Sequence, residues 1–147
     1  IGFILNQPTK LVINDLIDDF PSFNAHVYIG GPVQKDTLHF IHSLGNLIDG
    51  SINVGENLYW SGNFQTLMEL ISEKKIFSSQ IRFFAGYSGW EAGQLERELE
   101  EQAWIVASGN SEIALRKNNK KLWKNFISQM DKEYAIWANM PEDPSLN

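Results

Sequence analysis

Between Leu58 and Ala107 the apolar pattern switches period several times, and this alternation constrains the fold more than any other feature of the chain. Leu58 to Trp60 is a short run of strand formers. Phe64, Leu67, Met68 and Ile71 follow at i, i+3, i+4 and i+7 behind Asn63, a residue that caps helices well, so a helix is predicted from Phe64 to about Lys75. Ile81 to Ala85 reads as a buried strand. In the charged segment after it, Leu95 and Leu99 lie one turn apart, which predicts a helix over Gln94 to Gln102. Trp104 to Ala107 reads as one more short strand. Strands that alternate with helices favour an α/β arrangement with a mixed sheet over segregated all-β and all-α regions.

The remaining segments extend this pattern. Gly2 to Asn6 reads as a strand ending in a turn at Gln7-Pro8-Thr9, and Val12, Ile13, Leu16 and Ile17 suggest a short amphipathic helix stopped by Pro21. His26 to Ile29 and Thr37 to His42 are further strand candidates, with Gly45, Asn46, Asp49 and Gly50 in the turns that follow. Leu122, Trp123, Phe126, Ile127 and Met130 form a late helical stripe. At 147 residues the chain is expected to be a single compact domain, three layers α-β-α around the mixed sheet, and 43% hydrophobic content is enough for a core without staples. Its longest stretch without Asp, Glu, Lys or Arg is the fifteen residues Phe20 to Gln34, too short and too broken by Gly and Pro for a membrane span. The chain begins at Ile1 without a Met or a charged n-region, which suggests a fragment or a processed form.

Charge and composition remove several function classes. Twelve basic against eighteen acidic residues give a formal charge of −6, which disfavours a phosphate backbone as partner. With no Cys there are no disulfides, thiol nucleophiles or thiolate metal sites. Ser88 follows a strand candidate and matches the first half of a nucleophile elbow, but Trp90 stands where the elbow needs Gly, and His26, His39 and His42 all precede Ser88. It reads as a structural turn. His39 and His42 sit three apart in a strand-like run, which sends them to opposite faces rather than to one metal. Glu91, Glu96, Glu98, Glu100 and Glu101 read as a solvated helix face. Arg116, Lys117, Lys120, Lys121 and Lys124 are the one basic cluster, without a nucleic-acid recognition motif beside it. Sequence-specific DNA binding by this chain is therefore not expected, and no metal or cofactor is implied.

Two glycine-rich turns are the best candidates for a ligand site. Gly30-Gly31-Pro32 and Gly86-Tyr87-Ser88-Gly89-Trp90 each follow a strand candidate, and crevices form at strand ends in an open α/β sheet. If the two strands are parallel neighbours, the turns meet. Glycine would allow close backbone approach while Tyr87 and Trp90 supply apolar walls with polar tips, and Gly93-Gln94 at a helix start could hold a small anion. The alternative is that Trp90 plugs the core and the glycines serve tight packing alone.

Gly2-Phe3-Ile4-Leu5-Asn6-Gln7-Pro8-Thr9, Tyr28-Ile29-Gly30-Gly31-Pro32-Val33, Arg82 to Trp90 and Gly93-Gln94-Leu95-Glu96 together resemble the AlgH/YqgE family of bacterial proteins. Trp104, Leu122-Trp123 and the terminal Asp143-Pro144-Ser145-Leu146-Asn147 are also similar to it. The resemblance implies a compact mixed α/β domain in the cytoplasm. It adds Asn6, Pro8 and Thr9 to the candidate ligand-binding positions but brings no catalytic residues with it. The group carries the label of transcriptional regulator, so the reading it favours is a non-catalytic regulatory or binding protein. A small-ligand, nucleotide or anion binder using the glycine turns is the alternative, and an enzyme comes third. Relatives carry a further segment ahead of Gly2, including a strand that would pair with Gly2 to Asn6, so an exposed sheet edge open to a protein partner or a second copy is expected.

Overall fold

A computed structural model describes residues 1–117, 121–128 and 130. The chain divides into one compact unit of Ile1–Lys117 and a second of Asn118–Asn147. The first unit is built on six strands: β1 (Pro8–Val12), β2 (His26–Ile29), β3 (Val33–His42), β4 (Ile52–Gly55), β5 (Leu58–Trp60) and β6 (Ile81–Tyr87). They form one sheet in the order β1-β2-β6-β3-β5-β4. Of its neighbouring pairs, β2 and β6 run parallel and the others antiparallel, so the sheet is mixed as expected.

Strand alternation sorts the side chains onto two faces. Val27, Phe40, Ile81 and Phe83 point to one side, where they pack with Ile13, Phe20, Phe23, Leu44 and Ile48 and with Leu67 and Ile71 of α1 (Phe64–Ser72). Phe20 meets the Phe83 ring edge-on at 6.2 Å. Tyr28, Ile41 and Phe84 point to the other side, against Ala114 and Leu115 of α3 (Ser111–Leu115). Helices therefore lie on both faces, which gives the three layers. In the second unit α4 (Leu122–Ser128) forms with Ile127 buried.

Helix α1 begins at its cap, where the Asn63 side chain accepts from the Thr66 N–H at 3.0 Å. It stops short of Lys75 because Lys74 takes a left-handed φ of 55°, the Lys74 N–H donates to Ile71 O and the Lys75 N–H donates to Leu70 O. That pattern is a Schellman stop. Helix α2 (Gln94–Glu100) ends in the same way at Gln102, φ 56°. Helix α2 covers no part of the sheet: none of its residues is buried, and Leu95 and Leu99, the apolar pair one turn apart, are exposed.

Three segments differ from the sequence reading. Gly2–Asn6 is not a strand of the sheet. Phe3 stacks on Phe84 at 4.7 Å and Leu5 joins the same cluster, so this stretch lies as a strap over the second face, tied by the Gly2–Ser88 backbone pair. Pro8–Val12 takes the edge position instead of a turn and helix, a place where a proline is tolerated because no partner needs its N–H. After it the chain makes a 3-10 turn at Ile13–Asp15, and Asn14 fastens the following loop: its Nδ2 donates to Phe20 O and Pro21 O, and its Oδ1 accepts from the Phe23 N–H. Trp104–Ala107 is not a strand, and Val106 is 70% exposed. The sheet edges among the described residues are β1 and β4, so the exposed edge does not fall at Gly2 to Asn6. The Asp143–Asn147 stretch lies outside the described residues.

Candidate functional site

The two glycine-rich turns meet. Val27, Tyr28 and Ile29 pair with Phe83, Phe84 and Ala85 in parallel register, so β2 and β6 deliver Gly30-Gly31 and Gly86-Tyr87-Ser88 to the same end of the sheet. What fills the junction is backbone. A Cβ at Gly30 would run into the Gly86 carbonyl and one at Gly31 into the Tyr87 carbonyl and the Ser88 amide. Gly86 has a φ of +67°, and a Cβ there would come within 2.6 Å of Val33 O. Gly30, Gly31 and Gly86 are thus closely packed positions. Pro32 and Gly89 are exposed, and Tyr87 meets His39 edge-on at 5.5 Å. Asn6 and Pro8 are exposed, whereas Thr9 Oγ1 donates to Val27 O at 2.7 Å and so joins β1 to β2.

Trp90 and the start of α2 form a separate cluster. The Trp90 and Trp104 rings stand edge to face at 5.8 Å, and both indole N–H groups donate to one Glu98 oxygen, at 3.0 and 2.6 Å. Gln94 Nε2 donates to the other Glu98 oxygen at 2.8 Å, and Gln94 Oε1 accepts from the Glu91 N–H. Glu98 is not part of a plain solvated face. The Trp104 hydrogen bond, then those of Gln94 and Trp90, hold its carboxyl below the ordinary glutamate range. Gly93 opens the helix at φ 75° without a side-chain cap.

Neither Ser88 nor the histidines assemble a reactive group among the described residues. Ser88 exchanges backbone hydrogen bonds with Gly2, and its hydroxyl faces Gly30 O at 3.5 Å. His39 and His42 do face opposite ways. His39 Nε2 lies 3.1 Å from Thr37 Oγ1, on the face of Phe3 and Trp60. His42 is fully buried; its Nδ1 accepts from the Leu44 N–H, so Nε2 carries the proton and donates to Ser61 O at 3.0 Å. Burial lowers the pKa of both rings, and for His42 the bond to Ser61 acts weakly against that.

Among the described residues, two cavities lie at the side of the sheet carrying α3. An open groove of about 380 Å³ is lined by Ser43 after β3, Asn57 in the β4–β5 turn, Ser79 ahead of β6, and Ser111, Arg116 and Lys117 around α3. Asn110 positions the helix by accepting from the Ile113 N–H, and Ala114 and Leu115 anchor it in the core. Arg116 pairs with Glu112 at 3.0 Å, an exposed i, i+4 contact. The second cavity, about 10 Å³, is walled by Tyr28, Ser78, Arg82, Leu115 and Lys117 among others, and shares its Leu115 and Lys117 walls with the groove.

Arg82 is the least expected residue here. It lies on the face of β6 toward α3, 2% exposed, and its guanidinium stacks on the Tyr28 ring at 3.8 Å. Nη1 donates to Ala114 O at 2.8 Å and Nη2 to Leu5 O, so one cation ties α3 and the strap to the sheet. No carboxylate faces it among the described residues, and Nε has no hydrogen-bond partner there. Burial lowers its pKa, offset in part by Tyr28, yet a guanidinium keeps its charge in a protein.

Neither the groove nor Arg82 was a candidate from sequence. Arg82 sits inside an apolar run, and a charge as the second residue of Ile81 to Ala85 was the available signal. The groove joins residues far apart in the chain, and only the Asn110 cap ahead of Ser-Glu-Ile-Ala-Leu pointed to the helix that forms its wall.

Comparison with known proteins accords with this architecture. The family model described as AlgH-like matches residues 1–135. The UPF0301 protein of Chlorobium limicola is 42% identical over 147 residues, spanning all of this chain and 79% of that protein. That of Cytophaga hutchinsonii is 40% identical, over 99% of this chain and 81% of its own length. In three dimensions the chain is similar to the AlgH protein of Pseudomonas aeruginosa, with a TM-score of 0.67 at 24% identity over 96% of this chain and 78% of that one. A Corynebacterium diphtheriae protein gives 0.71 at 18% identity, over 94% and 74% of the two chains. Motifs, fold and relatives agree, and the chain belongs to the AlgH-like, UPF0301 family.

Proposed function

We propose that this chain is a non-catalytic binding protein that takes a small polar ligand in the groove beside α3, with ligand occupancy serving a regulatory role. The groove itself carries the reading: about 380 Å³ is in the range of small-molecule sites, and three serine hydroxyls, Asn57, Arg116 and Lys117 converge on it. Donors outnumber acids there, so a ligand bearing an anionic group is favoured over a cation. Support for binding without turnover comes from the lining. A serine nucleophile needs an adjacent base, no histidine lines the groove, and the Glu112 carboxylate is paired with Arg116. The glycine turns offer a poorer ligand site, since backbone occupies the space at Gly30 and Gly31.

A thermal-shift screen of small polar metabolites tests this directly, because a ligand selective for the native state raises its stability by RT ln(1 + [L]/Kd). Hits should lose their effect in Ser79→Trp, which fills the groove from an exposed position. Hits that survive that substitution would place the ligand elsewhere. A second reading, self-association, rests on β4: all four residues of this edge strand are exposed, Ile52 and Val54 at 51% and 50%. Light scattering that reports a dimer, broken by Val54→Lys, would support it; a monomer at high concentration would end it.

A further inference from the structure

We propose that the exposed Leu95 and Leu99 stripe of α2, with Trp104 beside it, is a docking surface for a basic amphipathic helix of a partner protein. This surface shares no residue with the groove beside α3, and either can be occupied alone.

Three observations carry it. The first is that α2 folds without covering anything: none of its residues is buried, and Leu95, Leu99, Trp104 and Val106 are all exposed. Seven residues do not hold a helix in water by themselves. This helix is held by Glu98, whose carboxylate gathers the Trp90 and Trp104 indole N–H groups and the Gln94 amide, and by its C-terminal stop, where the Gln102 and Ala103 N–H groups donate to Leu99 O and Glu98 O. The apolar stripe is thus presented in a fixed shape, and a preorganised surface loses little entropy on binding. Contiguous apolar surface left open in this way marks an interaction site.

The second is the arrangement around the stripe. Leu95 and Leu99 lie one turn apart on one face, Glu98 with its two tryptophans flanks that face on one side, and Glu96 and Glu100, again one turn apart, flank it on the other. Apolar residues at i, i+4 spacing take the matching ridge of a second helix, and tryptophan is a frequent anchor of such contacts.

The third is charge, which selects the partner. Glu91 to Val106 contains five acidic residues and one basic, Arg97, and so holds four of the chain's six net negative charges. Glu96 and Glu100 are exposed and have no ion pair among the described residues. A helix with Lys or Arg beside its apolar stripe complements them. A second copy of α2 would set like charges against each other, and nucleic acid or anionic lipid would be repelled.

The test is a ¹H–¹⁵N titration of the labelled chain with two amphipathic peptides of about 14 residues, one of Leu and Lys and one with Glu in place of every Lys. The Leu/Lys peptide should shift Leu95 to Glu100 and the Trp104 indole, saturate, and lose affinity at least about tenfold between about 50 and 500 mM salt. The Leu/Glu peptide should not bind. Leu99→Ser, at an exposed position, should hold Tm within about 2 °C and weaken the Leu/Lys peptide at least about tenfold. Glu96→Lys combined with Glu100→Lys should reverse the choice of peptide, and if that chain does not fold, Leu99→Ser decides. Equal binding of the two peptides, no shift on α2, shifts gathered on β4 or the groove, or an unchanged affinity in Leu99→Ser would each overturn the proposal. So would a dimer in light scattering that Leu99→Ser breaks, since the surface would then belong to a second copy. None of these outcomes touches the groove, whose ligands are small metabolites blocked at Ser79.

Discussion

Substituting Gly31 by Ala should cost this fold far more than the same change at Gly89. The methyl group at Gly31 would fall on the Tyr87 carbonyl and the Ser88 amide, which no rotamer change can move aside. The backbone there is held on both sides: Gly30 N–H donates to Ala85 O, and Gly2 and Ser88 exchange two bonds of 2.9 Å. Relief means parting the ends of β2 and β6. Overpacking of this kind costs about 1–3 kcal/mol, and each strained backbone bond adds about 1 kcal/mol, so a total near 3 kcal/mol is expected. For a domain of this size that lowers Tm by about 6–12 °C. At Gly89 the new Cβ would meet the edge of the Tyr87 ring at 3.1 Å at an exposed position, and the ring can give way. That change should cost under about 0.5 kcal/mol. Paired urea denaturation curves measure both. Equal losses in the two variants, or a Gly31→Ala protein as stable as the parent, would refute the packing argument.

Other expectations follow from single contacts. His42 and His39 are held neutral in the fold, with pKa values below those of the unfolded chain, so the unfolded state binds more protons in acid; stability should be full above about pH 6.5 and fall below it, until the folded-state pKa values are passed. A pH-flat unfolding free energy between 5 and 7 would contradict this. Lys74→Gly should stabilise the protein by about 0.5–1 kcal/mol, since it relieves a left-handed Cβ at the end of α1; a loss in Tm would count against the Schellman stop. Phe83→Ala, at the fully buried centre of the first face, should cost about 3–5 kcal/mol in chemical denaturation. In NMR spectra the indole resonances of Trp90 and Trp104 should titrate together with a midpoint below the ordinary glutamate range and lose that titration in Glu98→Gln; independent movement would dissolve the shared-acceptor geometry.

What sequence pattern shows is the part of the fold where burial writes itself into periodicity. Phe64 to Ile71 alternates at helical spacing because α1 has one buried face, and Ile81 to Ala85 is apolar except for Arg82 because β6 is covered on both sides. β4 left no such trace, since every residue of Ile52–Gly55 is exposed and edge pairing is made by backbone alone. The strap misled for the opposite reason. Phe3 and Leu5 are apolar and extended as in a strand, but they lie over the face of the sheet and not within it. Trp104 to Ala107 has strand-forming residues, and Trp104 is instead fixed by Glu98. As for the site, parallel pairing of β2 and β6 was the condition under which the glycine turns would meet, and it holds. The groove was illegible because its serines come from two separate loops and the start of α3 and gain meaning only through proximity.

The claim that the groove binds a ligand is tested most directly by ¹H–¹⁵N spectra of the ¹⁵N-labelled chain, titrated with the compounds that raise its Tm. The account predicts shifts concentrated at Ser43, Asn57, Ser79, Ser111 and Leu115, with little movement at Gly30, Gly31 or Gly86 to Trp90. Shifts gathered on those glycine turns, or no compound that shifts any residue, would contradict it.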